Sequence, residues 1–258
     1  MTKNVLRLAI LSMLLFSATS ALYATACGIN PSDPACAPSF SLTWHLQGSG
    51  GTHKALNDAP FWNGSAWVIN FQPEQTGGVN FTGGQLQSNP DPYISTSFGT
   101  IANSTNQNVV FNFDYSTTFS SIYSIYQAED FFVDSLLYTG QHSGSTTVAP
   151  NNSNGYYDYL LTTLVDGVII PNFQVGLGCT ATKGVPCGSA GPYDVLELYS
   201  HSGTGTLEIK GQFTLTPNGS YTMSGKTALY PVPEPGTLAL VGAGVVGLAG
   251  VLRRKLMP

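Results

Sequence analysis

Carboxylates are the residues of this chain whose spacing could support catalysis. Two groups lie close together along the sequence, namely Glu129, Asp130 and Asp134, and Asp194 and Glu197. Glycoside hydrolysis requires two carboxyl groups about 5–10 Å apart, one of them protonated near neutral pH. Proximity in sequence does not establish proximity in space, and we expect most acidic residues of an exported domain to be solvated. We therefore keep a secreted glycan hydrolase only as an alternative, and we assign no catalytic residue.

The histidines and serines match no known catalytic or metal-binding spacing. The four histidines are His45, His53, His142 and His201. No His-Glu-x-x-His or Gly-x-Ser-x-Gly segment occurs, and these are the spacings that hold a zinc ion or present a nucleophilic serine. The sequence thus predicts no metal site, no cofactor and no enzymatic activity.

Aromatic residues suggest a binding function instead. All three tryptophans, Trp44, Trp62 and Trp67, lie near the start of the body of the chain, and Tyr156 and Tyr157 are adjacent. Exposed aromatic rings can stack on the faces of sugars, so Trp44, Trp62, Tyr156 and Tyr157 are candidates for glycan stacking. Aromatic side chains are more often buried, and the alternating pattern around Trp67 indicates a core position for that residue.

The four cysteines predict disulfides. Cys27 and Cys36 enclose eight residues, and Cys179 and Cys187 enclose seven. An even number of cysteines in an exported chain favours disulfides, and the two short loops favour sequential pairing among three alternatives. Zinc binding is less favoured because neither pair has the Cys-x₂₋₄-Cys spacing and no histidine is nearby.

Composition predicts that strands position these residues. Charged residues make up 9% of the chain, against roughly 25% in typical domains, and 29 glycines and 16 prolines separate short apolar runs. With 11% aromatic residues there is enough apolar material for a core. We predict an all-β fold, an antiparallel β-sandwich for which a jelly roll is one arrangement, over residues 38–230. Two small sandwiches divided near residues 151–155 are the alternative.

Individual strands can be located by alternation. Trp67, Ile69 and Phe71 alternate, as do Phe111, Phe113 and Tyr115. We predict two hairpins. One is residues 159–175 with a type I′ turn at Asp166-Gly167, and the other is residues 207–223 with a turn at residues 217–220. Residues 120–138 fit either a helix or a strand.

The two ends of the chain differ in charge from the rest. Residues 27–232 hold four basic and thirteen acidic residues, a net charge of −9, and no arginine. A body of this kind lacks the basic surface that a phosphate backbone requires, so we exclude nucleic acid as a partner.

Residues 1–26 have the zones of a secretory signal peptide. Lys3 and Arg7 precede a continuous apolar run, and Ala24-Thr25-Ala26 provides a small-residue cleavage site. We expect this segment to be an apolar helix that is removed on export, with residues 27–37 following as a disulfide-closed segment. Lipidation of Cys27 is a less favoured alternative, because Ala24 replaces the usual leucine.

The C-terminal segment, residues 231–258, combines three features. Pro233-Glu234-Pro235 comes first, residues 237–252 are an apolar run with four glycines, and Arg253, Arg254 and Lys255 follow. The run would form about 24 Å of helix, slightly short of a typical transmembrane span. The basic cluster would stay cytoplasmic and leave the body outside. The prolines favour an extended conformation around Glu234.

Together these C-terminal features resemble the PEP-CTERM sorting signal. The resemblance implies that a membrane-embedded exosortase recognises Pro233, Glu234 and Pro235 and cleaves near them. Arg253, Arg254 and Lys255 would be the retention signal. It also implies a bacterial inner-membrane location before processing and a cell-surface or extracellular location afterwards.

We therefore expect an exported, non-enzymatic component of an exopolysaccharide or biofilm matrix. A carbohydrate-binding surface module is the alternative, and extracellular polysaccharide is the partner that both hypotheses imply.

Overall fold

The computed structural model describes residues 30, 32–48, 51–89, 93–121, 125–151, 159–188, 195–200 and 203–231. These residues form a short 3-10 turn at Pro34–Cys36 and the following strands in chain order: β1 (Ser39–Leu46), β2 (Thr52–Lys54), β3 (Phe61–Trp62), β4 (Trp67–Phe71), β5 (Glu74–Thr76), β6 (Val79–Phe81), β7 (Gly84–Asn89), β8 (Tyr93–Phe98), β9 (Ile101–Asn103), β10 (Val109–Ser121), β11 (Ile125–Tyr138), β12 (Ser145–Pro150), β13 (Leu161–Val165), β14 (Val168–Val175), β15 (Cys179–Thr182), β16 (Val195–Ser200), β17 (Gly203–Leu215) and β18 (Gly219–Pro231). The predicted signal peptide and C-terminal helix lie outside these ranges. Within them, no helix has the length and apolar character needed to cross a membrane.

The strands form two antiparallel sheets that pack as a sandwich, which confirms the predicted fold class. The eight-stranded sheet has the order β14-β13-β17-β10-β1-β2, with β12 beside β17 and β15 beside β12. The ten-stranded sheet has the order β3-β4-β7-β8-β18-β9-β6-β5, with β11 beside β18 and β16 beside β11. Strands from before and after residue 151 pair in both sheets, so the alternative of two sandwiches divided there is wrong.

The core lies between the sheets and is rich in aromatic rings. Alternation predicted this for β10, where Phe111, Phe113 and Tyr115 are buried. The ring of Phe113 meets Phe98 of the other sheet with centroids 5.1 Å apart, and Phe40 meets Phe71 at 4.3 Å. Aromatic pairs at these separations add to the stabilisation from burial alone.

The hairpin at Asp166-Gly167 is confirmed. β13 pairs with β14, and Asp166 and Gly167 have φ of 51° and 74°. Positive φ at both central residues defines the type I′ turn, which asparagine, aspartate and glycine adopt at low cost. The ambiguous residues 120–138 contain β11, a strand, and no helix is assigned there in the described residues.

The second predicted hairpin is wrong, because its two strands lie in opposite sheets. β17 pairs with β10, whereas β18 pairs with β11. The turn instead bonds to other elements: the Thr216 N–H donates to the Thr147 carbonyl at 3.0 Å, and the Asn218 N–H to the Asn103 carbonyl at 2.9 Å. This arch lets the buried side chains of both strands face the same core, with the rings of Phe213 and Tyr221 5.5 Å apart.

The predicted Cys179–Cys187 disulfide is present, and it connects the two sheets. Cys179 belongs to β15, which pairs with β12 of the eight-stranded sheet. The backbone of Cys187 exchanges two hydrogen bonds with Leu136 of β11, in the ten-stranded sheet. Cys36 is buried, and Cys27 lies outside the described residues, so pairing between them stays a prediction.

Candidate functional site

The structure does not support Trp44 as a glycan-stacking residue. Trp44 is 1% exposed and lies in the core, beside His53 at 6.0 Å and Phe111 at 6.3 Å between ring centroids. A buried ring cannot present a face to a sugar, so our assignment of Trp44 is wrong. The physical reason is its position in β1, where it shares the inward face with Leu42.

The other candidate stacking residues have different outcomes. Trp62 is half-buried in β3, with its ring 5.9 Å from that of Trp67. Trp67 is 5% exposed, which confirms its predicted core position. Tyr156 and Tyr157 lie outside the described residues, as do Pro233, Glu234, Pro235, Arg253, Arg254 and Lys255.

Glu129 and Asp134 of β11 do not form a catalytic pair, and the side chains of Asp130 and Glu197 are not among those that the structure describes. Glu129 and Asp134 are five residues apart in one strand, so their side chains project from opposite faces of the sheet. Asp134 is buried, and its Oδ2 accepts a hydrogen bond from the Tyr221 hydroxyl at 2.9 Å. Glu129 lies on the outer face. Asp194 is outside the described residues.

His45 of β1 and His53 of β2 are on neighbouring strands, but His45 pairs with Thr52 and their side chains project from opposite faces of the sheet. His53 of β2 is opposite Trp44 of β1, and His142 is in an exposed loop, while His201 is outside the described ranges. Within the part of the chain that the structure describes, no group of three histidine, cysteine, aspartate or glutamate side chains is placed to hold a metal ion.

The outer face of the ten-stranded sheet carries an ordered group of polar and aromatic side chains. In its central strands, every second residue faces the core, including Ile69, Leu86, Ile94 and Leu229. The residues between them project outward. We define the amide–tyrosine face as Asn70 of β4, Gln85 and Gln87 of β7, Tyr93 and Ser95 of β8, and Lys226 and Tyr230 of β18.

Register places these side chains next to one another. Gln85 pairs with Asn70, and Gln87 pairs with Ser95, which pairs in turn with Lys226. Directly opposed residues of antiparallel strands have Cβ atoms about 4.5–5.5 Å apart. The face is therefore continuous across β4, β7, β8 and β18.

The amides of this face hold one another in fixed orientations. Gln87 Nε2 donates to Gln85 Oε1 at 2.6 Å, and Gln85 Nε2 donates to Asn70 Oδ1 at 3.0 Å. Each amide has two donor hydrogens and an acceptor oxygen. The relay thus leaves Asn70 Nδ2 and Gln87 Oε1 outside these two bonds, at defined positions on the surface.

Lys226 joins the two tyrosines. Its Nζ donates to the Tyr230 hydroxyl at 2.6 Å and lies 5.2 Å from the Tyr230 ring centroid and 5.9 Å from that of Tyr93. The hydrogen bond to Tyr230 is the main cause that raises the pKa of the Lys226 ammonium, and the charge of Glu129 adds to it. The ammonium is thereby fixed between two rings, and Tyr230 is 41% exposed.

The outer face of the eight-stranded sheet has a different character. It presents Asp114, Glu208 and Lys210, and Lys210 pairs with Glu208 at 3.0 Å. Partial burial raises the pKa of the Asp114 carboxyl, Lys210 opposes this, and Glu208 adds to it. This face also contains an amide pair, in which Gln212 Nε2 donates to Asn112 Oδ1. These three charged residues lie among serine, threonine and amide side chains of β1, β10 and β17, as on an ordinary solvated sheet face.

One small cavity lies near the core. It is lined by residues of both sheets, including Thr96, Phe132, Leu161 and Gly225, and its volume is about 10 Å³. A space of this size holds a water molecule and no more.

The amide–tyrosine face was missed in the sequence, although part of its signal is present there. Gln85 and Gln87 flank Leu86, and Tyr93 and Ser95 flank Ile94, which is the alternation of a strand with one polar face. The pairing of β8 with β18 could not be read, because β18 is more than 120 residues away.

Comparison with known proteins concerns mainly the C-terminal segment. The PEP-CTERM protein-sorting motif matches residues 231–255. No characterised protein sequence matches the chain. Among solved structures, one similar chain is described as "Structure of TmCBM61 in complex with beta-1,4-galactotriose". It is 10% identical over 73% of this chain and 88% of that chain, with a TM-score of 0.24. This similarity is too low to support an argument.

The motif match confirms the resemblance that the C-terminal residues indicated. Such a motif is recognised by exosortase, a membrane protein, and directs a chain to the cell envelope and surface. The chain is an exported protein that carries a C-terminal PEP-CTERM sorting motif.

Proposed function

We propose that this protein binds polysaccharide through its amide–tyrosine face and serves, without enzymatic activity, in an exopolysaccharide or biofilm matrix. The observation that carries the proposal is the amide relay from Gln87 through Gln85 to Asn70, on the same face of the sheet as the exposed ring of Tyr230.

The chemistry of this face suits a sugar polymer. Sugars present hydroxyl groups, which need both donors and acceptors, and apolar C–H faces, which pack on aromatic rings. The amides provide donors and acceptors at fixed positions, and the tyrosine rings provide apolar surface with little conformational entropy to lose. A face already ordered in the free protein binds at a lower entropic cost than a flexible one.

The sorting signal supports the same proposal. The exosortase route delivers the body of the chain outside the cell, where extracellular polysaccharide is available as a ligand. The alternative of a glycan hydrolase gains no support from β11, because Glu129 and Asp134 lie on opposite faces of the sheet.

The test is affinity electrophoresis of the full chain in a detergent without sugar groups, in gels that contain a panel of soluble polysaccharides. We expect at least one polysaccharide to retard the wild-type protein. In the double variant Gln85→Ala/Gln87→Ala, we expect the affinity to fall by about 30-fold, because two hydrogen bonds to the ligand are lost and each contributes about 1 kcal/mol.

The eight-stranded sheet offers a matched control. The double variant Asn112→Ala/Gln212→Ala removes an amide pair from the opposite outer face, and we expect its retardation to equal that of the wild type. Thermal unfolding checks that both variants are folded. The proposal would be contradicted if no polysaccharide retarded the wild-type protein, or if both double variants lost the same amount of affinity.

A further inference from the structure

The charge on the amide–tyrosine face and around it restricts the class of polysaccharide. Besides Lys226, Glu129 is the nearest charged residue on this face of the sheet, since it pairs with Ala228, two residues along β18. Its charge opposes that of Lys226. The Lys226 ammonium is also engaged by the Tyr230 hydroxyl at 2.6 Å and by two rings. The face therefore offers no unengaged cation for a carboxylate or sulfate group of a polymer.

The whole body adds to this effect. Its net charge is −9, and the potential of a charged protein extends about a Debye length, roughly 8–10 Å at physiological salt. A polymer with an acidic group on each repeat would be repelled as it approaches. A neutral polymer would not be affected.

The register also sets the length of the surface. Five direct pairs connect Phe61 of β3 to Phe131 of β11 in one row, through Val68, Gln87, Ser95 and Lys226. Adjacent strands are about 4.8 Å apart, so the row spans about 24 Å. This is longer than a disaccharide.

Exposed aromatic rings mark both ends of the row. Phe61 is 45% exposed and Phe131 is 39% exposed, and Gln87, Ser95 and Lys226 are partly exposed between them; Val68 is buried, so it adds no contact surface. The two exposed phenylalanine rings at the ends of the row can each pack against the C–H face of a sugar.

We propose that the ligand is a neutral polysaccharide whose chain lies across the strands, from Phe61 to Phe131, over the amide–tyrosine face. This inference rests on the proposed function and adds the charge class, the orientation and the extent of the ligand.

The charge class is tested with defined polymers in affinity electrophoresis of the full chain. The neutral probes are hydroxyethylcellulose, glucomannan and galactomannan, and the acidic probes are polygalacturonate and alginate. We expect retardation by at least one neutral probe and by neither acidic probe. Retardation should be unchanged between low salt and about 0.5 M NaCl, because no ion pairs are involved.

The outcomes separate this inference from the proposed function. Retardation by an acidic polymer that disappears at high salt would overturn the neutral class, while the proposed function would stand. If neither the five probes nor any polysaccharide of a broader panel retards the protein, both the inference and the proposed function are overturned.

The extent is tested with oligosaccharides of the polymer that binds, by calorimetry. We expect affinity to rise at least tenfold from disaccharide to hexasaccharide. In Phe61→Ala and in Phe131→Ala this gain should shrink, while disaccharide affinity stays at the wild-type value. Val168→Ala, which removes an exposed apolar side chain from β14 of the other sheet, should leave the gain unchanged. A wild-type affinity that does not depend on length, or a gain that survives both phenylalanine variants, would overturn the proposed orientation.

Discussion

At the scale of single residues, the interior contains one polar pair that the sequence gives no means of predicting. Asp134 and Tyr221 are both buried, and the Tyr221 hydroxyl donates to the carboxylate of Asp134 at 2.9 Å. They are opposed diagonally, because Asp134 pairs with Met223 and Tyr221 pairs with Leu136. A buried polar group is costly unless it is hydrogen-bonded, so each of these residues depends on the other.

Tyr221→Phe should destabilise the fold by about 1–3 kcal/mol, because the substitution removes a donor from a buried carboxyl oxygen. Urea unfolding of the wild type and the variant measures this difference. Tyr230→Phe is the matched control, since its hydroxyl is at the surface and its loss should change the free energy of unfolding little. Equal destabilisation by the two substitutions would contradict the assigned role of the buried pair.

The same residue predicts a dependence of stability on pH. Burial raises the pKa of the Tyr221 hydroxyl well above its usual value, and the charge of Asp134 adds to this. Above the ordinary tyrosine pKa of about 10, the unfolded chain loses this proton while the folded chain keeps it, so stability falls as pH rises. In urea unfolding from about pH 8 to pH 11, we expect a shallower fall for Tyr221→Phe than for the wild type. Some dependence should remain, because burial also raises the pKa of Tyr115. Identical slopes would contradict the prediction.

At the scale of elements, a disulfide and a glycine fix how particular strands are placed against their neighbours. The Cys179–Cys187 disulfide connects β15 of one sheet to the edge of β11 in the other. Gly211 lies where the partner of β17 changes from β13, which pairs up to Lys210, to β12, which pairs from Phe213. The chain around Leu160 crosses β17 at that point.

The double variant Cys179→Ser/Cys187→Ser should lose about 2–3 kcal/mol of stability, as expected for a loop of this length in the chain-entropy model. The amide of Leu136 should also exchange its hydrogen faster, because its bond to the Cys187 carbonyl is no longer held in place. Urea unfolding and hydrogen exchange measure the two effects. Val185→Ser, at the exposed tip of the same loop, is the control. Unchanged exchange at Leu136 in the double variant would show that the disulfide does not hold the edge.

Gly211→Ala should destabilise the fold by about 1–3 kcal/mol, the usual cost of adding a methyl group to a packed interior. An added Cβ would lie 2.3 Å from the Leu160 carbonyl oxygen, so the backbone would have to move. Gly167→Ala provides the contrast. Its Cβ would meet no atom within 4 Å, but φ is +74°, and we expect a cost of about 1 kcal/mol from backbone strain alone. Thermal unfolding ranks the two variants, and a smaller effect at Gly211 would refute the close-approach argument.

At the scale of the whole molecule, the two outer faces of the sandwich differ. The eight-stranded sheet presents one ion pair and one amide pair, and the ten-stranded sheet presents a relay of three amides together with two tyrosines that contact Lys226. The difference is the whole-molecule basis for the proposed binding function.

The sorting motif predicts processing of the whole chain. In a host that contains exosortase, Glu234→Ala/Pro235→Ala should leave a longer form in the membrane fraction, because the recognition element is removed. Immunoblots of cell fractions and mass spectrometry of the C-terminus measure this. Pro217→Ala, in the turn before β18, is the control and should be processed as the wild type is. Normal processing of the double variant would refute the roles proposed for these residues.

The sequence alone determined the class of the fold, the turn at Asp166-Gly167, the Cys179–Cys187 disulfide and the sorting motif. Each of these is local: alternation, a dipeptide that tolerates positive φ, a short loop between cysteines, and a contiguous segment read by another protein. Such signals are complete within a few residues.

Only the tertiary structure decided which alternating strands share a sheet and which way their faces point. β17 and β18 have the pattern of a hairpin, yet they form an arch, because burial on one face is satisfied equally by a neighbour in the same sheet or by a partner across the core. Alternation likewise does not show which face of β1 is buried, and Trp44 lies on the buried face. The amide–tyrosine face depends on register between strands more than 120 residues apart, and period-two alternation carries no information about register between distant strands.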